Sequence, residues 1–180
     1  MSTITNKNGF TLIELMITIA IAGILASIGI PNLQTTIQNN KMTALHNDLL
    51  SILNFTRSTA ITRGTSATFC NSNSTGTGCA SATDGWQNGW ISFPDKNNDG
   101  VVDAGETILK VKNDMPKQID IASSKLRISY GSEGYAIGYA GNFTFCDKRG
   151  DSAKKGLVMS NSGRIRVATS NDNLSTCSSL

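Results

Sequence analysis

The sequence has a single histidine, His46, and no pair of cysteines at metal-ligand spacing, and charged residues make up only 16% of it. With one histidine and no Cys-x-x-Cys, no Ser-His-Asp, Cys-His or zinc-ligand arrangement can be assembled, so neither an enzyme nor a bound cofactor is expected. His46 itself falls in a stretch of helical pattern and reads as a solvated helix residue. The formal net charge is +3, too mild to mark a nucleic-acid binder, so any basic signal has to be local. At 180 residues the chain suits one domain plus an appendage.

Cysteine is absent from the first 69 residues, and the four present are Cys70, Cys79, Cys146 and Cys177. Scattered, even-numbered cysteines beyond an apolar segment read as two disulfides of an exported domain. Three pairings are open; Cys70 with Cys79 and Cys146 with Cys177 needs the least chain travel and is the expectation.

The long apolar run lies at the other end. Phe10 to Ile30 are almost wholly apolar, about 21 residues, enough for a helix to cross a hydrocarbon core of about 30 Å. A secretory signal would place its cleavage site after such a stretch, yet here the polar leader, residues 1–9, comes first and ends in Gly9. Cleavage after Gly9 leaves the helix on the mature protein. Glu14 is a carboxylate inside the run, costly in a membrane unless partnered, and the amine freed at Phe10 would supply a positive charge.

In the order G-F-T-L-I-E, Gly9 to Glu14 resemble the type IV pilins and the pseudopilins of type II secretion. The resemblance implies cleavage after Gly9 by prepilin peptidase, N-methylation of Phe10, and docking of each subunit through Glu14 and a neighbour's terminal amine. It also implies residence in the bacterial inner membrane as a single-pass protein, then in a periplasmic or extracellular filament among other pilins. Pro31 sits where that family often carries a helix-bending proline.

From residue 31 to 63 apolar residues recur at three- and four-residue steps, among them Leu33, Ile37, Leu45, Leu49, Ile52 and Leu53, which predicts an amphipathic helix stopping at Arg63-Gly64. Residues 64–180 read as a β-rich head. The predicted strands are 66–70, 89–93, 107–111, 125–129, 135–137, 142–146, 156–159 and 164–168. The stretch 72–85 reads as a surface loop, and Trp86 and Trp90 as rings covering the sheet. The run W-x-x-G-W-I-S-F-P-D, with G-E-T-I-L later, resembles the head shared by the GspH pseudopilins and the FimT and FimU minor pilins. The fold class implied is α+β: a type IV pilin fold, with a long amino-terminal helix packed on an antiparallel sheet.

Asp95 to Glu106 fit the twelve-residue calcium-loop template, with Asp95, Asn97, Asp99, Val101, Asp103 and Glu106 at ligand positions and Gly100 at the turn. The template belongs between helices, whereas these flanks read as strands. A polar hairpin loop is the alternative, and no metal is the expectation.

The last forty residues hold six basic side chains, Lys148, Arg149, Lys154, Lys155, Arg164 and Arg166, against Asp147, Asp151 and Asp172. The local excess equals the net charge of the whole protein. Arg164 and Arg166 are two apart, so an extended strand points both to one side and Ile165 to the other. Two guanidinium forks suit the phosphate oxygens of double-stranded DNA, and Gly163 lets a backbone approach. G-R-I-R, Gly163 to Arg166, resembles the GRxR motif of FimT-type minor pilins, which bind DNA during natural transformation. The resemblance implies DNA contact by Arg164 and Arg166; the four remaining basic residues extend the candidate surface on charge alone. A structural minor pilin or type II secretion pseudopilin of the FimU or GspH kind, priming filament assembly without DNA, is the alternative.

Overall fold

The computed structural model describes residues 9–81, 84–113 and 115–177. The leader expected over residues 1–9 therefore lies outside them except for Gly9, as does part of the 72–85 loop.

Among the described residues one α-helix, α1, runs Leu12–Arg63 and is followed by eight strands: β1 Ala67–Asn71, β2 Trp90–Pro94, β3 Lys110–Lys112, β4 Ile119–Ser123, β5 Arg127–Tyr130, β6 Gly141–Asp147, β7 Lys155–Met159 and β8 Ile165–Val167. The chain divides into two compact units, Met1–Asn40 and Lys41–Leu180. The division falls ten residues beyond Pro31. Leu33 and Ile37, which the spacing assigns to the buried stripe, are 62% and 45% exposed, and burial begins at Met42.

Within the second unit, called the head below, α1 buries Met42, Leu45, His46, Leu49, Ile52, Leu53, Thr56, Thr59 and Ala60, one face of a 3.6-residue repeat. Gly64, at φ 62°, ends the helix in the left-handed conformation that other residues adopt at a cost. Two four-stranded sheets follow, ordered β3-β2-β1-β5 and β4-β6-β7-β8, with every pairing antiparallel.

Leu45, Leu49 and Leu53 of α1 share one core with Phe69, Trp90, Ile128 and Tyr130 of the first sheet and Phe143, Phe145 and Leu157 of the second. Each fully buried side chain of this size contributes about 1.5 to 3 kcal/mol of transfer free energy, which is why the amphipathic segment settles as helix against sheet. Trp86 and Trp90 are buried as rings beside Phe69, with Trp86 stacked on it at a centroid distance of 5.5 Å. The strand expected at 135–137 is absent: Gly131 donates its N–H to the Tyr135 carbonyl, and the chain turns at Gly131 and Gly134. β4 is a strand that alternation did not reveal, since it sits on an edge with only Ile121 fully buried.

His46 is not solvated. It is 5% exposed, its Nε2 lies 3.2 Å from the Gly156 carbonyl and its ring 5.4 Å from Phe145. Spaced four from Met42 and three from Leu49, it shares their face of the helix, and the Gly156 carbonyl supplies the partner that burial requires.

Candidate functional site

The hairpin β7–β8 carries the Gly163–Arg166 motif. Its turn is closed by Gly163 N–H to the Ser160 carbonyl at 2.9 Å and Ser160 N–H to the Arg164 carbonyl at 3.0 Å. Ile165 packs on the core, and Arg164 and Arg166 border one cavity of about 370 Å³ with Val158, Ser160 and Ser162. The two arginines therefore share a side, as a two-residue step along a strand requires.

Their electrostatic situations differ. Arg166 is held by a fork-to-fork ion pair with Asp172, Nη2 to Oδ1 at 2.6 Å and Nη1 to Oδ2 at 2.7 Å. Asp172 Oδ2 also accepts the Thr169 N–H at 2.7 Å, and these contacts, Arg166 first, hold its carboxyl well below the usual range. Arg164 has no such partner among the described residues.

The other four basic side chains divide similarly. Arg149 clamps Asp147, with Nε to Oδ2 at 2.9 Å and Nη2 to the same oxygen at 2.5 Å, and this hydrogen bonding lowers the Asp147 carboxyl. Lys154 pairs with Asp151 at 3.1 Å. Asp151 is lowered chiefly by the Cys177 N–H and then by Lys154. Lys155 donates to Thr43 Oγ1 at 2.6 Å. Lys148 is exposed and makes no ion pair among the described residues, although its charge helps to lower the adjacent Asp147. The charge count thus overstates the cationic surface, because each of the three aspartates in this region is matched to a basic residue.

Gly163 serves the protein rather than an approaching ligand. It is buried at φ 74°, and a Cβ there would collide with the Gly134 carbonyl oxygen and lie 3.2 Å from Cε1 of Tyr130. That carbonyl accepts Arg57 Nε at 3.0 Å, and Arg57 Nη2 donates to the Ser162 carbonyl at 3.3 Å, so α1 is tied to both turns.

The structure pairs Cys70 with Cys79 and Cys146 with Cys177 at Cα separations of 5.6 and 5.5 Å. The second bridge anchors the tail that carries Asp172 to β6.

At the other end, Thr11 and Glu14 form a reciprocal cap on α1: the Glu14 N–H donates to Thr11 Oγ1 at 3.3 Å, and Glu14 Oε2 accepts the Thr11 N–H at 3.1 Å. The T-x-x-E spacing is the sequence signal for this cap. α1 also contains an apolar window of 18 residues, none of them buried, long enough to cross a membrane.

Residues 46–163 match the family model described as type II transport protein GspH. The chain belongs to the GspH family. Residues 4–30 of this GspH-family chain separately match the prokaryotic N-terminal methylation motif. The fold is that of the type IV minor pilin FimU of Pseudomonas aeruginosa, known in two crystal forms. One shows 16% identity, a TM-score of 0.58, and coverage of 78% of this chain and 98% of that one. The other shows 15% identity, a TM-score of 0.56, and coverage of 76% and 100%. No curated protein sequence matches the chain significantly.

In this GspH-family head the Asp95–Glu106 segment is the loop between the paired strands β2 and β3. Its polar groups are spent on one another. Asp95 accepts the Gly100 N–H at 2.9 Å and Thr68 Oγ1 at 2.7 Å, Asn97 Nδ2 donates to Asp99 and Asp103 at 2.9 Å each, and Glu106 accepts the N–H groups of Lys96 and Asp103. Among the described residues no group of three acidic, histidine or cysteine side chains is arranged to hold a metal. Val101 contributes its N–H to Asp99. The segment is a hairpin loop whose polar side chains bond within it and, through Asp95, to Thr68 of β1.

Proposed function

We propose that the chain is a structural, non-enzymatic minor pilin or pseudopilin. Its leader is removed after Gly9 by prepilin peptidase, and Phe10 is methylated. The helix holds it in the inner membrane as a single pass until it joins other pilins in a filament. What carries this reading is the union, on one chain, of the methylation motif over residues 4–30, an unburied apolar helix and a GspH head. Glu14 spends Oε2 on Thr11, and a subunit's terminal amine would be received at Oε1, where a charge-assisted bond offsets the cost of a carboxylate in lipid. In cells, Glu14→Val is expected to leave leader processing intact, seen as the mature size on a gel, while the protein disappears from the sheared filament fraction. Recovery of the variant in filaments at the parental level would defeat the assembly role.

A second reading is favoured by one observation, the unpaired and exposed Arg164. The phosphate backbone of double-stranded DNA taken up in natural transformation would meet Arg164 and Lys148 first, because Arg166, Arg149 and Lys154 are held by carboxylates. If these two cations engage one phosphate each, log K should fall with log salt at a slope of about −1.8, from −0.9 per phosphate. Arg164→Gln is expected to weaken binding of a short duplex more than Arg166→Gln, and Asp172→Asn to strengthen it by releasing Arg166. Fluorescence anisotropy of the labelled duplex across a salt series reads all three. The absence of any binding at low salt leaves the structural reading alone.

A further inference from the structure

A cavity of about 300 Å³ opens in the head between the turn after β5 and the β2–β3 loop, walled by Asn98, Ser129, Glu133, Tyr135, Ile137 and Tyr139. It is separate from the arginine pair and from the membrane helix, and neither function uses it. Its hydrogen-bonding polarity is set from behind. Asp95 is fully buried and accepts the Asp99 and Gly100 N–H groups, so it acts as an acceptor toward Thr68 Oγ1 at 2.7 Å. A hydroxyl has one hydrogen to give, and Thr68 gives it to Asp95. The 2.7 Å contact between Thr68 and Ser129 must then be donated by Ser129. Ser129, which lines the cavity, consequently has no hydroxyl hydrogen left for a ligand and can only accept.

Glu133, exposed at the mouth, adds a carboxylate with no partner among the described residues. Tyr135 and Tyr139 add aromatic rings, whose faces carry negative potential. On the segments that form the cavity and its adjoining loop, Asp95, Asp99, Asp103, Glu106 and Glu133 face Lys96, Arg57, Lys125 and Arg127. Three of these cations are themselves tied to carbonyl oxygens, Arg57 to those of Gly134 and Ser162, Arg127 to that of Asp99 and Lys125 to that of Gly138. A lone-pair floor, a free carboxylate and ring faces together select a cation that can donate hydrogen bonds. Ile137, 78% exposed at the rim, offers an apolar seat for the methylene stem of a long side chain.

We infer that this cavity receives a lysine or arginine side chain of a partner protein, with the ammonium or guanidinium on Ser129 and Glu133, against the tyrosine rings, and the stem on Ile137. The site is independent of DNA contact at Arg164 and of docking at Glu14, so it stands or falls separately from both.

The test is an NMR titration of the ¹⁵N-labelled full-length protein in detergent micelles with N-acetyl-lysinamide and N-acetyl-argininamide. N-acetyl-norleucinamide serves as the uncharged isostere and N-acetylglucosamine as the neutral polar probe. At least one cationic probe should shift the amides of residues 129–139 saturably and bind about tenfold more tightly than norleucinamide, the discrimination of one charge-assisted hydrogen bond. Glu133→Gln, at an exposed position, should lose most of that preference with the rest of the spectrum unchanged, and Tyr135→Leu should weaken binding severalfold. Equal binding of norleucinamide, tighter binding of the sugar, no saturable shift with either cation, or undiminished binding by Glu133→Gln would each overturn the assignment.

Discussion

Gly163→Ala is expected to lower the stability of the head by about 3 kcal/mol, combining the left-handed backbone with a collision against a fixed carbonyl. The new methyl would press on the Gly134 oxygen, which cannot retreat without giving up its bond from Arg57 Nε, and on the ring of buried Tyr130. For a chain of this size the thermal midpoint should fall by about 6 to 12 °C, read by circular dichroism of the full-length protein in detergent. Gly105→Ala is the matched control. Its φ is 93° but nothing lies within 4 Å of the added carbon, so only the backbone cost, about 1 kcal/mol, should appear. Equal losses in the two variants would mean that the close approach to Gly134 contributes nothing. The comparison bears on function too, because loss of DNA binding in Gly163→Ala would follow from a disturbed hairpin and would not identify Gly163 as a DNA contact.

Removing the Cys146–Cys177 bridge, as Cys146→Ala with Cys177→Ala, should cost about 3 to 4 kcal/mol by the loop-closure relation. The closed segment spans a sequence separation of 31, against 9 for Cys70–Cys79, whose loss should cost about 1 kcal/mol less by the same relation. The consequence is local as well as global. Without the bridge the tail keeps the Ser175 N–H to Thr144 Oγ1, the Cys177-position N–H to Asp151 and the Asn142 amide to the Asn173 carbonyl, hydrogen bonds worth about 0.5 to 1.5 kcal/mol each in net terms, beside the exposed Asp172–Arg166 pair. Hydrogen–deuterium exchange should therefore rise over residues 168–177 well before it rises in β6 or β7. Since Asp172 rides on this tail, Arg166 should lose its fixed partner in the same variant. Exchange that rises uniformly through the head, or not at all, would show that the bridge does not organise the tail.

Much of the architecture was legible from local pattern. The apolar run, the three- and four-residue steps over residues 31–63 and the stop at Arg63-Gly64 all describe α1, although Leu33 and Ile37 are exposed, and seven of the eight strands overlap a predicted one. The misses have a common cause. β4 is an edge strand with little burial to print alternation on it, and residues 135–137 have strand-forming side chains but glycines on both sides that turn the backbone. His46 was assigned to water by residue type, although its spacing from Met42 and Leu49 placed it on the buried face.

Composition and short-range order by themselves determined that the chain has a membrane-length helix, a stop at Arg63-Gly64, a β-rich head and a positive excess in its last forty residues. Those properties depend on residues within one or two turns of each other, or on counts alone. Tertiary structure decided which of the basic residues are available: it set Asp172 on Arg166, Asp147 on Arg149 and Asp151 on Lys154, and it left Arg164 open. It also decided that Gly163 serves packing and that the Ser129 hydroxyl, bordering a cavity, spends its hydrogen on Thr68. Each of these rests on where another segment of backbone or a neighbouring carboxylate comes to lie. Hydrogen bonds and ion pairs form within a few ångströms, so their partners are set by folded geometry, which a count of charges does not contain.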